Sequence, residues 1–230
     1  MIYRERCQSK ISKSHKSSES GFTIIESLVA IIVVTLLMIA ISPVIVLAVA
    51  NRVQARRVEM ASQAARSYID GVRAESIEPP SNIIKDSTGS TLNSKLPPTT
   101  GNLNCSANAY CPGARELYCI DNDGDGACRN TSTTDLIVQA FGAIPVDGTG
   151  TSVYSTQGYQ GYRLGVRVYR AYVFSQAGTF PQPNGQKQAS FGGGLGLSKL
   201  PLVELSSEMV VTNRDTYRTI CKDAGQVKGC

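Results

Sequence analysis

Between Ser27 and Ala50 the chain runs for 24 residues without a charge, and a single carboxylate, Glu26, stands at the mouth of that run. As a helix the run would reach about 36 Å, enough to cross the hydrocarbon core of a bilayer. It divides the chain into a basic, polar leader, a membrane-length helix and a remainder of normal single-domain size. A carboxylate just inside an apolar span costs on the order of 3 kcal/mol on insertion scales. Glu26 therefore calls for a positive partner inside the membrane. Pro43, within the run, removes one backbone hydrogen bond and permits a local kink.

Three simpler readings compete for this segment. A secretory signal peptide would use Ala48-Val49-Ala50 as its cleavage site, but the apolar run far exceeds the usual length of about 7–15 residues. A plain single-pass anchor fits the length. Both leave Glu26 without a purpose. A lipoprotein is excluded, because Cys7 sits among Arg4, Glu5 and Arg6 rather than after an apolar run. Arg4, Arg6, Lys10, Lys13 and Lys16 favour a cytoplasmic N-terminus, although Arg52, Arg56 and Arg57 weaken the contrast across the span.

The block Gly21-Phe22-Thr23-Ile24-Ile25-Glu26 resembles the prepilin signature of type IV pilins and of the pseudopilins of type II secretion systems. The resemblance covers about residues 16 to 75, and the leader is longer than the shortest prepilin leaders. It implies that a prepilin peptidase cuts after Gly21 and that Phe22 becomes the N-methylated new N-terminus. It also implies that Glu26 pairs with the N-terminal amine of a neighbouring subunit during assembly. Pro43 falls where many members carry a proline. The implied partners are the peptidase, other pilin or pseudopilin subunits, an inner-membrane assembly platform and membrane lipid.

Cleavage after Gly21 would remove five basic and two acidic residues, which account for +3 of the formal net charge of +5. The remaining charge, without a basic stripe interleaved with aromatics, gives no case for nucleic acid. Cys7 and the single histidine, His15, would leave with the leader. No Ser-His or Cys-His catalytic arrangement is then available, so a structural subunit is expected rather than an enzyme. Six cysteines stay: Cys105, Cys111, Cys119, Cys128, Cys221 and Cys230. An even set reads as a disulfide framework and places the domain outside the cytoplasm. Proximity favours Cys105–Cys111, Cys119–Cys128 and Cys221–Cys230. Zinc is disfavoured because no C-x-x-C pair is present.

Past the span, the helical pattern continues to about Glu78, where Pro79-Pro80 stops it. Ala61, Ala65, Tyr68 and Val72, with Ile69 beside them, form an apolar stripe opposite Arg56, Glu59, Arg66, Asp70 and Arg73. Gly71 lowers helix propensity there by about 1 kcal/mol. Residues 79 to 104 read as an irregular connection, rich in Ser, Thr, Asn, Pro and Gly.

Asp121, Asp123 and Asp125, followed by Gly126, match the D-x-D-x-D-G opening of a calcium loop. Alternate spacing in a tight turn converges three carboxylates on a hard cation, and glycine permits the reversal. The Ala127 carbonyl offers a further ligand. At the twelfth position, where a glutamate is usual, stands Ser132, with Asp135 as a stand-in. The competing reading is a solvated acidic turn clipped by Cys119–Cys128.

Strands are expected over Asp135–Phe141 and Gly161–Phe174, the second with Leu164, Val166 and Val168 on one face and Arg163 and Arg167 on the other. A final pair is expected over Leu200–Leu205 and Glu208–Thr212. The tract around Gly192-Gly193-Gly194 lacks the residues of a phosphate loop. The fold class is α+β: a long N-terminal helix packed on a small antiparallel sheet, type IV pilin-like. The expected organisation is a leader over 1–21, a helix over 22–78 that spans the membrane to about 50, and an extracytoplasmic domain over 79–230.

The segments Leu117–Asp121 through Phe141 and Tyr162–Arg170 are also similar to pseudopilins of the cyanobacterial hormogonium polysaccharide secretion system. That similarity implies polysaccharide export linked to gliding motility. The alternative class is a membrane-anchored minor-pilin adhesin or carbohydrate-binding module.

Overall fold

The computed structural model describes residues 21, 23–87, 92–93, 95–153, 160–182, 185–188, 197–211, 214–225 and 227. The leader, Phe22, the 192–196 glycine tract and Cys230 lie outside the described residues. The chain divides into two units, Met1–Leu47 and Ala48–Cys230.

The helix α1 runs over Ile24–Arg73, through Pro43. It contains a segment long and apolar enough to cross a membrane. In the first unit, every described residue is exposed. Two hydroxyls within this stretch bond back to their own helix, Ser27 Oγ to the Ile24 carbonyl (2.8 Å) and Thr35 Oγ1 to that of Ile31 (2.7 Å). Their donors need no water, as an apolar surrounding requires.

In the second unit α1 ends at Arg73 rather than at Glu78. Glu75 takes a left-handed backbone (φ 58°), with Ser76 N donating to the Gly71 carbonyl (3.0 Å) and Glu75 N to that of Val72 (3.2 Å). These two bonds are a Schellman cap, so the helix is stopped by its own backbone before the prolines are reached. Gly71 leaves room for the chain to fold back, since a Cβ there would lie 2.5 Å from Ile77 Cδ1.

The expected apolar stripe is buried, with Ala64 added to it, and the charged positions opposite are exposed. It shares a core with Val138, Ala140, Ile144, Leu164, Val166 and Val168.

Five strands form the main sheet. β5 (Leu136–Pro145) is its centre, antiparallel to β6 (Gly161–Arg170), which is antiparallel to β7 (Val203–Val210). On the other edge of β5, β3 (Leu117–Ile120) pairs antiparallel with its first half and β1 (Ile83–Asp86) parallel with its second half. The sheet is therefore mixed, not antiparallel throughout. β1 lies inside the stretch read as irregular: four residues between polar flanks give almost no periodic signal. A small second sheet joins β2 (Asn104–Ser106) to β4 (Ala127–Arg129).

Two other expectations change. β6 stops at Arg170 and the chain turns into a 3-10 helix over Ala171–Ser175. The final pair is one strand, β7, whose Ser206-Ser207 stays in register with Gly165 and Leu164. An edge strand tolerates that polar pair because its outer positions, such as Ser206 and Glu208, are exposed. The helix α2 (Arg214–Asp223) closes the described chain, with Tyr217, Ile220 and Cys221 buried.

The alternation along β6 holds, yet its second face is not open to water. Ile137 and Tyr169 pack there with Phe174, Phe180 and both described disulfides. Arg167 is also buried on that face, 0% exposed. Its Nε meets Glu204 Oε1 at 2.9 Å, and Nη1 donates to Gln139 Oε1 (3.3 Å) and to the Lys95 carbonyl (3.0 Å). Gln139 in turn donates to Glu116 Oε1 (2.8 Å), which Lys95 Nζ approaches at 3.2 Å.

Removing one partner of a buried pair strands the other charge. Arg167→Ala is therefore expected to lower unfolding free energy by about 3–5 kcal/mol, whereas Arg167→Met combined with Glu204→Met should lose much less. Urea titration of the full chain in detergent micelles measures both. Equal losses would mean that the pair's burial is not what holds this face.

Candidate functional site

Two places in the chain concentrate the chemistry singled out in the sequence, one in each unit. The first is the head of α1. Gly21 is exposed, and Phe22 lies outside the described residues. Thr23 caps the helix: its Oγ1 accepts from Glu26 N at 3.3 Å, and its carbonyl accepts from Glu26 N (3.0 Å) and Ser27 N (3.1 Å). Thr23-Ile24-Ile25-Glu26 is thus the S/T-x-x-E spacing of a capping box, and Glu26 stands where the helix dipole favours an anion. That spacing is a local signal the sequence carries; the bonds seen use the Glu26 amide, and the helix dipole is what its carboxylate gains in a single copy.

The second is the loop between β3 and β4. The bond Cys119–Cys128 joins the third residue of β3 to the middle of β4, and Cys105–Cys111 braces β2 alongside. Both pairings agree with the sequence proximity. Cys221 is disulfide-bonded, and its expected partner Cys230 lies outside the described residues.

Inside the clip, the aspartates wrap the backbone around themselves. Asp121 Oδ1 accepts from Gly124 N (2.7 Å) and its Oδ2 from Gly126 N (2.9 Å). Asp123 Oδ1 accepts from Asp125 N (3.2 Å), and Asp125 Oδ1 from Ala127 N (2.9 Å). Gly126, at φ 87°, supplies the reversal that a side chain would resist. Arg129 reaches Asp125 Oδ2, a counter-ion that sequence reasoning passed over.

Ser132, at the twelfth loop position, does not act as a carboxylate substitute. It donates to Asp123 Oδ2 (2.9 Å) and accepts from Asp135 N (3.2 Å). Asp135 joins the three loop aspartates instead, each of the four offering an oxygen within 4.8 Å of the others. Asp135 Oδ1 accepts from Asn122 N (3.1 Å), which ties the foot of β5 to the loop.

The environments of these carboxylates differ in sign. The amides of Gly124 and Gly126 hold the Asp121 carboxyl below its ordinary value. Burial pushes Asp135 up, with the Asn122 amide and Ser132 opposing it and the charges of Asp123 and Asp121 adding to it. The set is all-oxygen and anionic, suited to a hard cation such as calcium.

No protein-family model, curated protein or solved structure matches the chain. What the chain does therefore rests on its own residues and geometry.

A carboxyl whose folded pKa is depressed stabilises the fold above its unfolded value, about pH 4, and loses that contribution as pH falls through the folded pKa. With chelator present, Asp121→Asn is expected to lower the unfolding midpoint at pH 7, and the gap should close toward pH 2. Thermal scans across that range test it, and a gap independent of pH would show that the amide bonds to Asp121 carry no charge dependence.

Proposed function

We propose that the chain is a structural subunit of a type IV pilin-like fibre, a pseudopilin held in the membrane by the first half of α1 before it assembles. The supporting observation is the surface of that half. It is exposed along its whole length, uncharged from Ser27 to Ala50, and carries one carboxylate in its first turn. Among the described residues of a single copy, nothing covers it. Lipid covers it in a bilayer, and neighbouring copies of the same helix would cover it in a fibre.

The two settings differ for Glu26. At a bilayer interface it can reach water, but inside a bundle of apolar helices it enters a medium where an unpaired charge is costly. A cation is then required, and cleavage after Gly21 creates one: the amine of Phe22 on an adjacent copy, N-methylated in the family the block resembles. Pairing would neutralise two charges that each subunit otherwise buries, so correct docking is favoured over a slipped helix. Prepilin peptidase, other subunits and an assembly platform are the partners this reading requires.

The disulfides favour an oxidising compartment for the second unit, consistent with a cytoplasmic N-terminus and an extracytoplasmic domain. The similarity of segments 117–141 and 162–170 to polysaccharide-secretion pseudopilins extends the proposal to polysaccharide export and gliding motility.

Glu26 also belongs to the capping box, so the test must separate charge from cap. Glu26→Gln keeps a capping residue without the charge, and Glu26→Val removes both. Both variants are expected to be processed and membrane-inserted, with fibre incorporation reduced roughly hundredfold, the cost of a stranded charge. Wild-type incorporation of Glu26→Gln would sink the pairing role. Gly21→Trp should leave the precursor uncut, and a mass spectrum showing an N-terminus at Phe22 in that variant would refute the cleavage claim.

A further inference from the structure

We propose that Asp121, Asp123, Asp125 and Asp135 form a calcium site in which Asp135, outside the loop motif, is the ligand that closes the coordination and couples the ion to the central strand. The inference is independent of fibre assembly, since every residue in it belongs to the second unit.

Acidic turns without a bound ion are common on protein surfaces, so the three loop aspartates alone establish nothing. Asp135 is different. It is 0% exposed, and its Oδ2 is buried without a hydrogen-bond partner. A buried carboxylate oxygen left unsatisfied is unfavourable, and more so with other carboxylates at hand. Its surroundings offer little remedy, since the nearby Ser132 hydroxyl donates to Asp123. Asn122 N occupies the other oxygen, and the groups charged alongside it are Asp121 and Asp123, both raising its energy. Among the described residues the cation at the cluster is Arg129, and it is engaged with Asp125. A bound cation satisfies the orphaned oxygen and removes the repulsion in one step.

Size and donor type select the ion. The four oxygens lie within 4.8 Å of one another, close enough to share one ion. Magnesium demands near-ideal octahedral geometry and keeps several of its waters, so a set of four protein carboxylates suits the larger, more flexibly coordinated calcium. Zinc and the softer transition metals prefer nitrogen and sulfur, and this set has neither. The nearby sulfurs of Cys119 and Cys128 are bonded to each other.

The frame is already built. The disulfide fixes both ends of the loop, and four Asx-type bonds from Gly124, Asp125, Gly126 and Ala127 set its curvature. Asp135 immediately precedes β5, and its carbonyl accepts from Ala171 N (3.0 Å) just past β6. An ion held by Asp135 and the loop therefore fastens β3, β4, β5 and the end of β6 to one point.

The test uses the full chain in detergent micelles, stripped with chelator and titrated with calcium chloride by calorimetry and by thermal unfolding. A dissociation constant below about 1 mM is expected, in the range of extracellular calcium modules or tighter. At a hundredfold excess over that constant the unfolding midpoint should rise by about 5–10 °C, and magnesium at the same concentration should move it far less. Asp135→Asn should weaken calcium binding at least tenfold, yet its calcium-free midpoint should equal or exceed that of the parent, because one of four repelling charges has gone. That opposite sign separates a ligand from a merely structural residue. Asp123→Asn, at an exposed position, gives the same loss of binding without touching the core. A parent midpoint unmoved by about 10 mM calcium, an equal response to magnesium, or a parent-like calcium response in Asp135→Asn would each overturn the proposal.

Discussion

Burial of β5 on both faces is the constraint on which the second unit depends. Nine of its ten residues are buried, so it reads as a continuous apolar run rather than an alternating one. One face meets the α1 stripe, and the other meets the disulfide-braced aromatic cluster with Ile137 and Tyr169. Because β6 takes one edge and β1 and β3 share the other, every strand of the main sheet is positioned directly or at one remove by β5. The acidic loop inherits that position too, since Asp135 stands at the strand's foot. A double-sided sheet also explains why an arginine in β6 ends up inside: Arg167 has no outward direction left, and Glu204, Gln139 and backbone carbonyls stand in for water.

What the sequence could show follows from which forces are local. The α1 stripe was legible because helical periodicity is written into residue spacing, and the structure buries Ala61, Ala65, Tyr68, Ile69 and Val72. The two described disulfides were legible by proximity alone. The end of α1 was not: the stop comes from Glu75 in a left-handed backbone, a conformation its residue type does not advertise, whereas Pro79-Pro80 is a louder signal six positions past Arg73. β1 was illegible for a different reason. Four residues carry no period, and the strand exists because β5 offers it an unpaired edge. The fate of Arg167 is likewise a tertiary fact, fixed by residues far away in sequence, such as Glu204. At the acidic loop the three alternating aspartates could be read from the chain, but the fourth could only be suspected, since folding brings Asp135 back.

Glu26 shows how one residue can satisfy a local and a collective demand at once. Locally it occupies the first turn of α1 and donates its amide to Thr23, an arrangement any helix would use. That local fit lowers the energy of the head of α1 in a single copy, where solvent is within reach. It does nothing for the charge once apolar neighbours close around it. A capping role alone would be met equally well by an uncharged glutamine, or by no acidic residue at all. The helix dipole favours the charge at this position in a single copy, and in the fibre proposed above the charge would also need a cation presented from outside the chain. On the proposed reading the long exposed apolar surface and the lone carboxylate belong together: the surface would need covering, and the charge would set the register in which covering is favourable.

The disulfides and the proposed ion act on the second unit through different states. A cross-link restricts the unfolded chain whether or not the fold is formed, while an ion contributes only where four carboxylates have already been assembled. The Cys119–Cys128 bond brings the loop ends together at all times, so the entropy of closing the loop is settled before any cation arrives. What remains is repulsion among the aspartates, and that term grows as Asp135 is drawn in by β5. The fold thus generates the very strain that a cation would relieve. For this reason the ion's effect should concentrate on the junction of β3, β4 and β5.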